Sequence, residues 1–181
     1  MKNLLFIAVL AAIVFWYVDQ DQSVAVAIGD QLVYPGYQIE HLEPFALEAR
    51  VLSRKDYTSG READLSKTDL ALGWGEMSRP EIIAQFDISQ RSRAYFWRTD
   101  KLPLPRRNIE TQSANMHMIA ATPEVAAALA RADEGDMVRF SGQLVEVRAE
   151  QGNWRWRSSL TRNDTGHGAC EVIWVESFSL I

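Results

Sequence analysis

The chain has 181 residues, of which 47% are hydrophobic and 10% aromatic, and its formal net charge is −5. This composition suffices for a packed core and excludes wholesale disorder. A mild acidic excess is atypical of a general nucleic-acid-binding protein, which normally carries a basic surplus. The only cysteine is Cys170, which excludes a disulfide within the chain and is typical of a small buried side chain.

The N-terminus carries an apolar run from Leu4 to Val18, preceded by a short basic start. The run is short for a spanning helix, which takes about 20 residues, but it ends in the aromatic triplet Phe15-Trp16-Tyr17, as at a membrane interface. A cleavable signal peptide is the alternative, with Ala25-Val26-Ala27 as the cleavage motif. The polar stretch Asp19-Gln20-Asp21-Gln22 makes that spacing unusually long. We therefore expect residues 1–18 to be an uncleaved transmembrane signal anchor.

The orientation of this anchor follows from the distribution of basic residues. Lys2 precedes the apolar run, and the next Lys or Arg is Arg50. The positive-inside rule then predicts a cytoplasmic N-terminus and an exported remainder. We expect a single-pass protein of the bacterial inner membrane, held through residues 4–18, with its C-terminal domain in the periplasm.

The exported part divides into two predicted regions. Residues 19–45 are predicted as a tether, because they open with Asp-Gln repeats, contain the turn signal Tyr34-Pro35-Gly36-Tyr37 and end near Pro44. Residues 46–181 are predicted as the folded periplasmic domain.

Hydrophobic alternation and capping residues predict the elements of that domain. The predicted strands are Leu47–Val51, Arg91–Arg98, Ser113–Ala120, Met137–Arg148, Trp154–Leu160 and Glu171–Glu176. The predicted helical segments are a turn at Asp69–Leu72, a short helix with a capping box at Ser78 and Glu81, and a helix at Thr122–Arg131.

The predicted fold class is α+β, mainly β, as a small OB-like barrel with one or two short helices. The pattern G-D-x-V-x-x-x-G-x-L-V from Gly135 to Val145 resembles strands of OB-type barrels, and a change of phase at Gly142-Gln143 predicts a bulge or bend. Another α+β sheet is the alternative.

Residues 46–178 also carry a resemblance to a bacterial family. The segments concerned are Gly73-Trp74-Gly75, Ser113 to His117, and Ser159 to Glu171. On these residues the chain resembles a family of membrane-anchored envelope proteins that has no known activity, so the resemblance implies a location and no mechanism.

The segment 91–107 is the most basic part of the chain, with six Lys or Arg residues and one Asp, a net charge of +5. A basic surface beside aromatic residues can hold an anionic ligand. A solvated charged face is the alternative interpretation.

The stretch from Trp154 to Glu171 concentrates arginine, hydroxyl, histidine and cysteine side chains between two predicted strands. Arginine forks and hydroxyls suit a phosphate or carboxylate. Trp74, flanked by two glycines, is either a stacking platform or a lid over the core. The predicted ligand-binding residues are Arg155, Arg157, Ser159, Thr161, Arg162, Asp164 and Trp74.

Catalysis is the competing interpretation of the same stretch. Asp164, His167 and Cys170 could supply an orienting acid, a base and a nucleophile, with His117 as a further candidate. His117 and His167 lack the spacing of a zinc motif, so no metal is predicted. A lone Asp164-Thr165-Gly166 differs from aspartic proteases, which need two such carboxylates. No cofactor is predicted.

Three functions therefore compete. The first is a membrane-tethered periplasmic binding or assembly module whose partner is an envelope protein or an anionic glycan or lipid, with no nucleic acid. The second is an envelope hydrolase that uses His117 together with Asp164, His167 and Cys170. The third is a structural subunit of an envelope complex. His117 beside an open cleft would favour the enzyme, whereas a buried His117 would weaken it.

Overall fold

The computed structural model describes residues 25–161 and 170–181, and these residues form a mainly β structure with short helices. The strands are β1 Val26–Ile28, β2 Gln31–Val33, β3 Tyr37–Asp56, β4 Thr68–Gly73, β5 Asp87–Arg91, β6 Ala94–Arg98, β7 Ser113–Ala120, β8 Met137–Ala149, β9 Arg155–Arg157 and β10 Glu171–Leu180. The helices are α1 Arg61–Leu65, a 3₁₀ turn at Gly75–Ser78, α2 Pro80–Ile83, α3 Arg106–Thr111 and α4 Pro123–Leu129.

The main sheet has the strand order β10-β7-β4-β3-β8-β9. β10 lies parallel to β7 and also pairs antiparallel with β8, so both of its edges are hydrogen-bonded. The other pairings in this sheet are antiparallel. β1–β2 and β5–β6 are separate two-stranded hairpins.

Three clusters of buried apolar side chains hold these strands and helices together. The largest contains Leu70, Leu72, Met116, Phe140 and Ile173 from the main sheet, with helix α4 packed against it. Alternate residues of the same strands face outwards, as the period of two requires. Those outward residues pack in two further clusters, one under the segment around Tyr34 and β9, the other under the 3₁₀ turn, α2, α3 and the β5–β6 hairpin.

Strand β3 is longer than the sequence pattern predicts. The predicted strand began at Leu47, but β3 begins at Tyr37 and pairs with β8 from Ala149 onwards. Position 45, where the predicted tether ends, therefore lies inside a continuous strand. A register shift between His41 and Glu43 breaks the alternation in this half of the strand, so the pattern does not predict it.

The helix predicted at Thr122–Arg131 is confirmed as α4, and the Thr122 side chain accepts a hydrogen bond from the Val125 N–H at its start. The predicted capping box at Ser78 is wrong. Arg79 precedes α2 without a side-chain cap, and the Ser78 hydroxyl donates instead to the Gly75 carbonyl at 2.8 Å. Ser78 is the last residue of the preceding 3₁₀ turn and therefore does not cap α2.

Two local predictions are overturned between residues 68 and 98. Asp69–Leu72 belongs to strand β4, all of whose residues are buried, and forms no helical turn. The predicted strand Arg91–Arg98 is interrupted by a turn at Ser92 and Arg93, both with positive φ, so β5 and β6 form a hairpin. Neither segment carries the usual signal, because β4 is apolar around one buried acid and the turn lacks glycine.

The irregularity predicted at Gly142-Gln143 lies on the neighbouring strands. β10 shifts register between Val175 and Ser177, opposite Gly142, and β3 shifts between His41 and Glu43. A Cβ at Gly142 would lie 1.9 Å from the Trp174 carbonyl oxygen, so only glycine allows β8 and β10 to approach this closely.

Within residues 25–161 and 170–181, no helix is both long and apolar enough to cross a membrane. The predicted anchor, residues 1–18, lies outside the described residues, as do residues 162–169.

Candidate functional site: two buried carboxylates and their arginines

Arginines from strands β8 and β9 surround one buried glutamate. Glu146 is fully buried, and its position in β8 lies opposite Arg157 in β9. Its carboxylate accepts hydrogen bonds from Arg148 at 2.7 Å, from Arg155 at 2.8 Å and from Arg157 at 2.5 Å. We name these four residues the Glu146 cluster.

The Glu146 cluster carries a surplus of positive charge at the surface. Three guanidinium groups surround one carboxylate, and Arg148, Arg155 and Arg157 keep 57%, 55% and 41% of their side chains exposed. The hydrogen bond from Arg157, with those from the other two arginines, lowers the pKa of Glu146 to about 2. Glu40 is a further acid, 3.7 Å from Arg148. The carboxylate is thus ionised at neutral pH and fixes the arginines in place.

Trp156, between Arg155 and Arg157, faces the opposite side of β9 from the arginines, and Trp154 just before the strand packs against the same apolar cluster. Trp156 packs beside Val147 in the apolar cluster under Tyr34 and β9, and its ring centroid lies 4.6 Å from that of His117. Trp154 contacts Tyr37 edge to face, and the Arg61 guanidinium lies 5.8 Å from its ring centroid. β9 spans only Arg155–Arg157 and is therefore shorter than the predicted strand Trp154–Leu160.

A second buried carboxylate lies on the outer face of β4 and β7. Asp69 is fully buried and accepts a hydrogen bond from the Arg93 guanidinium at 2.7 Å. Asn115 donates to the same carboxylate at 3.4 Å, and His117 lies directly opposite Asp69 in the strand register. We name these four residues the Asp69 cluster.

Arg93 reaches this carboxylate from the turn of the β5–β6 hairpin. Arg93 has a φ of 61°, which is in the left-handed region, at the turn between β5 and β6. Only 17% of its side chain is exposed. Its guanidinium lies 3.8 Å from the Tyr57 ring centroid and also donates to the Ser66 carbonyl oxygen at 2.9 Å. Arg93 is consequently enclosed, with its charge matched by Asp69.

The geometry at His117 does not favour a general base. His117 is 2% exposed, so it does not line an open cleft. Its Nδ1 lies 3.0 Å from Asp69 Oδ2, a close contact that lacks the alignment of a hydrogen bond. A catalytic histidine needs both an aligned orienting acid and access to its substrate.

Cys170 and the neighbouring serines have local structural contacts. The Cys170 thiol lies 3.9 Å from the Arg93 carbonyl oxygen, and the Cys170 carbonyl accepts from the Ser159 N–H. Ser159 is buried, and its hydroxyl donates to the Thr161 carbonyl at 3.0 Å. The Ser158 hydroxyl accepts from the Val172 N–H at 3.1 Å. The Ser159–Cys170 and Ser158–Val172 bonds join the segment after β9 to the start of β10.

The structure therefore brings together part of the predicted site. Arg155 and Arg157 lie side by side, with Ser159 and Thr161 following in the chain. Trp74 lies elsewhere, since it follows Gly73, which is opposite Arg50, and Trp74 packs on the main core. The predicted residues Arg162, Asp164 and His167 lie outside the described residues.

The basic segment 91–107 is divided among separate contacts. Arg93 is enclosed by the Asp69 cluster, Arg98 pairs with Asp87, and Arg106 pairs with Glu110. Arg91 lies 4.5 Å from the ring centroid of exposed Phe96. Three of the arginines in this segment therefore belong to three separate ion pairs.

Sequence reasoning missed Glu146, Arg148, Asp69 and Arg93 as site residues. Glu146 and Arg157 were within reach of prediction, because the hairpin turn near residue 152 sets their register. Asp69 and His117 are 48 positions apart and offer no comparable signal.

Comparisons with protein-family models, with curated proteins and with solved structures find no match to this chain. Among the residues that the structure describes, no group of three His, Cys, Asp or Glu side chains could hold a metal ion.

Proposed function

We propose that the protein is a membrane-tethered extracytoplasmic binding module, and that the Glu146 cluster binds an anionic ligand. The observation that carries the proposal is the arrangement of three half-exposed arginines around one buried carboxylate. Enough positive charge remains after pairing with Glu146 to attract an anion. Arginines already held in position lose less side-chain entropy on binding than free ones do.

The proposed scaffold is an OB-like barrel. Its five strands would be β3, β4, β7, β8 and β10, with α4 between the third and fourth strands of the chain order. The pairings β3–β4, β4–β7, β7–β10, β10–β8 and β8–β3 support this proposal, because each of the five strands then has two partners.

The proposed ligand is a phosphate, carboxylate or sulfate group on an envelope glycan or lipid. Planar guanidinium groups bind such groups bidentately, and Arg155 and Arg157 project from the same face of β9. The predicted periplasmic location, together with the overall net charge of −5, speaks against nucleic acid as the ligand. An anchor at residues 4–18 would place the domain close to both glycans and lipids.

The test compares two double variants of the full chain held in nanodiscs of uncharged lipid. Arg155→Gln/Arg157→Gln removes two charges from the Glu146 cluster. Arg98→Gln/Arg139→Gln is the matched control, because both arginines belong to exposed ion pairs elsewhere. The probes are dextran sulfate with uncharged dextran as its blank, and soluble short-chain phosphatidylglycerol.

We expect the Arg155/Arg157 variant to bind the anionic probe about tenfold more weakly, a loss of about 1.4 kcal/mol, while the control binds as wild type does. A preference for dextran sulfate would identify a glycan, and a preference for phosphatidylglycerol a lipid. Equal losses in both double variants would show unspecific attraction to total charge and would contradict the proposal.

A further inference from the structure

The β1–β2 hairpin carries an exposed apolar face. Val26 is paired with Val33, and Ile28 is two residues further along the same face. These three side chains are 49%, 42% and 64% exposed respectively. The only polar side chain in register with them is Gln31, which lies opposite Ile28.

The other face of the hairpin is fixed to the domain. Leu32 packs against two of the apolar clusters, and its N–H donates to the Ala121 carbonyl at 2.8 Å. Just beyond β2, the Tyr34 hydroxyl donates to the Ala120 carbonyl at 2.8 Å and its ring meets Trp174 edge to face. The exposed side chains of Val26, Ile28 and Val33 are therefore not needed to hold the hairpin in place.

The chain itself limits where this face can lie. Only six residues, 19–24, separate the apolar run ending at Val18 from Ala25. The seven residue steps from Val18 to Ala25 span about 25 Å at most in an extended chain. If residues 4–18 cross the membrane as proposed, the start of the hairpin lies within that distance of the end of the anchor.

We propose that Val26, Ile28 and Val33 rest in the lipid interface beside the anchor and so orient the domain on the membrane. Aliphatic side chains on a short hairpin lose contact with water when they enter the headgroup and acyl boundary. Asp30, at the turn of the hairpin, stays on the water side. The inference rests on the proposed membrane anchor and is independent of the ligand bound at the Glu146 cluster.

The test uses the full chain in vesicles of phosphatidylcholine, a lipid without net charge, so that the vesicles offer the Glu146 cluster no anionic lipid. A nitroxide label is attached at Ile28→Cys or, in a second sample, at Val33→Cys, both in a Cys170→Ser background. The matched control carries the label at Phe96→Cys, an equally apolar and 42% exposed position on the distant β5–β6 hairpin. Flotation of the vesicles reports the anchor, and collision of the label with oxygen or with a water-soluble nickel complex reports its surroundings.

We expect the labels at positions 28 and 33 to collide several-fold less with the nickel complex and more with oxygen than the label at position 96. A floating chain whose hairpin labels match the control would overturn this inference alone. Spin–spin broadening at position 28 would show a second copy as the occupant and would also overturn it. A chain that does not float overturns the anchor and this inference together, while binding of anionic probes by the Glu146 cluster remains measurable.

Discussion

The Asp69 and Glu146 clusters are built from the same parts and differ in what they leave accessible. Each has a fully buried carboxylate on a strand of the main sheet, bonded to arginine. Arg93, the arginine of the Asp69 cluster, is 17% exposed, whereas the arginines of the Glu146 cluster are 41–57% exposed. The first cluster encloses its charge and the second displays a surplus.

This difference separates a structural role from a binding role. In the Asp69 cluster, Arg93 connects the β5–β6 turn to β4, and Asn115 also bonds to the carbonyl of Arg93 at 3.1 Å. In the Glu146 cluster, one acid aligns three arginines whose outer edges remain in contact with water. We expect substitutions of Asp69 or Arg93 to affect folding, and substitutions of the half-exposed arginines in the Glu146 cluster to affect binding.

The largest effect is expected for Asp69→Ala. It leaves the Arg93 guanidinium enclosed without its carboxylate, and removal of one member of a buried pair costs about 3 to 5 kcal/mol. Urea unfolding of the full chain measures the change. The control is Asp87→Ala, which breaks the exposed pair with Arg98 and should cost under about 1 kcal/mol. Equal losses of unfolding free energy in the two variants would mean that the buried Asp69–Arg93 pair stabilises the protein no more than an exposed pair does.

A loss of similar size is expected for Arg93→Met. Methionine keeps an apolar stem against Tyr57 but leaves the fully buried Asp69 without its charge partner, which costs about 3 to 5 kcal/mol. Arg155→Met, tested in the same way, should cost less than about 1 kcal/mol because its side chain is half exposed. If the two substitutions cost the same, the proposed contrast between the clusters is wrong.

The effect of Glu146→Gln on the free energy of unfolding should depend on pH. The arginines lower the pKa of Glu146 from 4.5 to about 2 in the folded protein. A lowered pKa contributes stability that is fully present above 4.5 and is lost as pH falls towards 2. The difference in free energy of unfolding between wild type and Glu146→Gln should therefore be constant near neutral pH and shrink under acid.

Urea unfolding from about pH 7 to about pH 3 measures that difference. Glu48→Gln is the matched control, because Glu48 accepts from a single exposed arginine, Arg139. A difference between wild type and Glu146→Gln that grows under acid would contradict the arrangement of the Glu146 cluster.

Sequence patterns predicted the elements whose signals are local. Thr122, Pro123 and Glu124 mark the start of α4 at the correct residue. The apolar patterns also identify β7, β8 and the first part of β10, which was predicted to end at Glu176 and continues to Leu180. In β8, Phe140 and Val147 belong to different apolar clusters, on either side of the phase change that the sequence shows at Gly142-Gln143. These signals depend on neighbours in the sequence, and the folded chain preserves them.

The missed features depend on contacts that form only in the folded chain. Nothing next to Asp69 in the sequence indicates that it is buried and paired with Arg93. The turn that positions Arg93 has positive φ at Ser92 and Arg93, neither of which is glycine. Arg155 and Arg157 were predicted as ligand-binding residues, but the acid that aligns them, Glu146, is on the adjacent strand. Half of the candidate site was therefore visible from residue type, and the other half required the strand register.

The most direct test of the central claim follows the arginine side chains themselves. The full chain in nanodiscs of uncharged lipid, labelled with ¹⁵N-arginine, is titrated with inorganic phosphate while the Nε–Hε resonances are observed by NMR. We predict saturable shifts for Arg148, Arg155 and Arg157, and an unchanged resonance for Arg93, which is already enclosed. Uniform, non-saturating shifts across all exposed arginines, or a shift at Arg93 as large as at Arg155, would contradict the account.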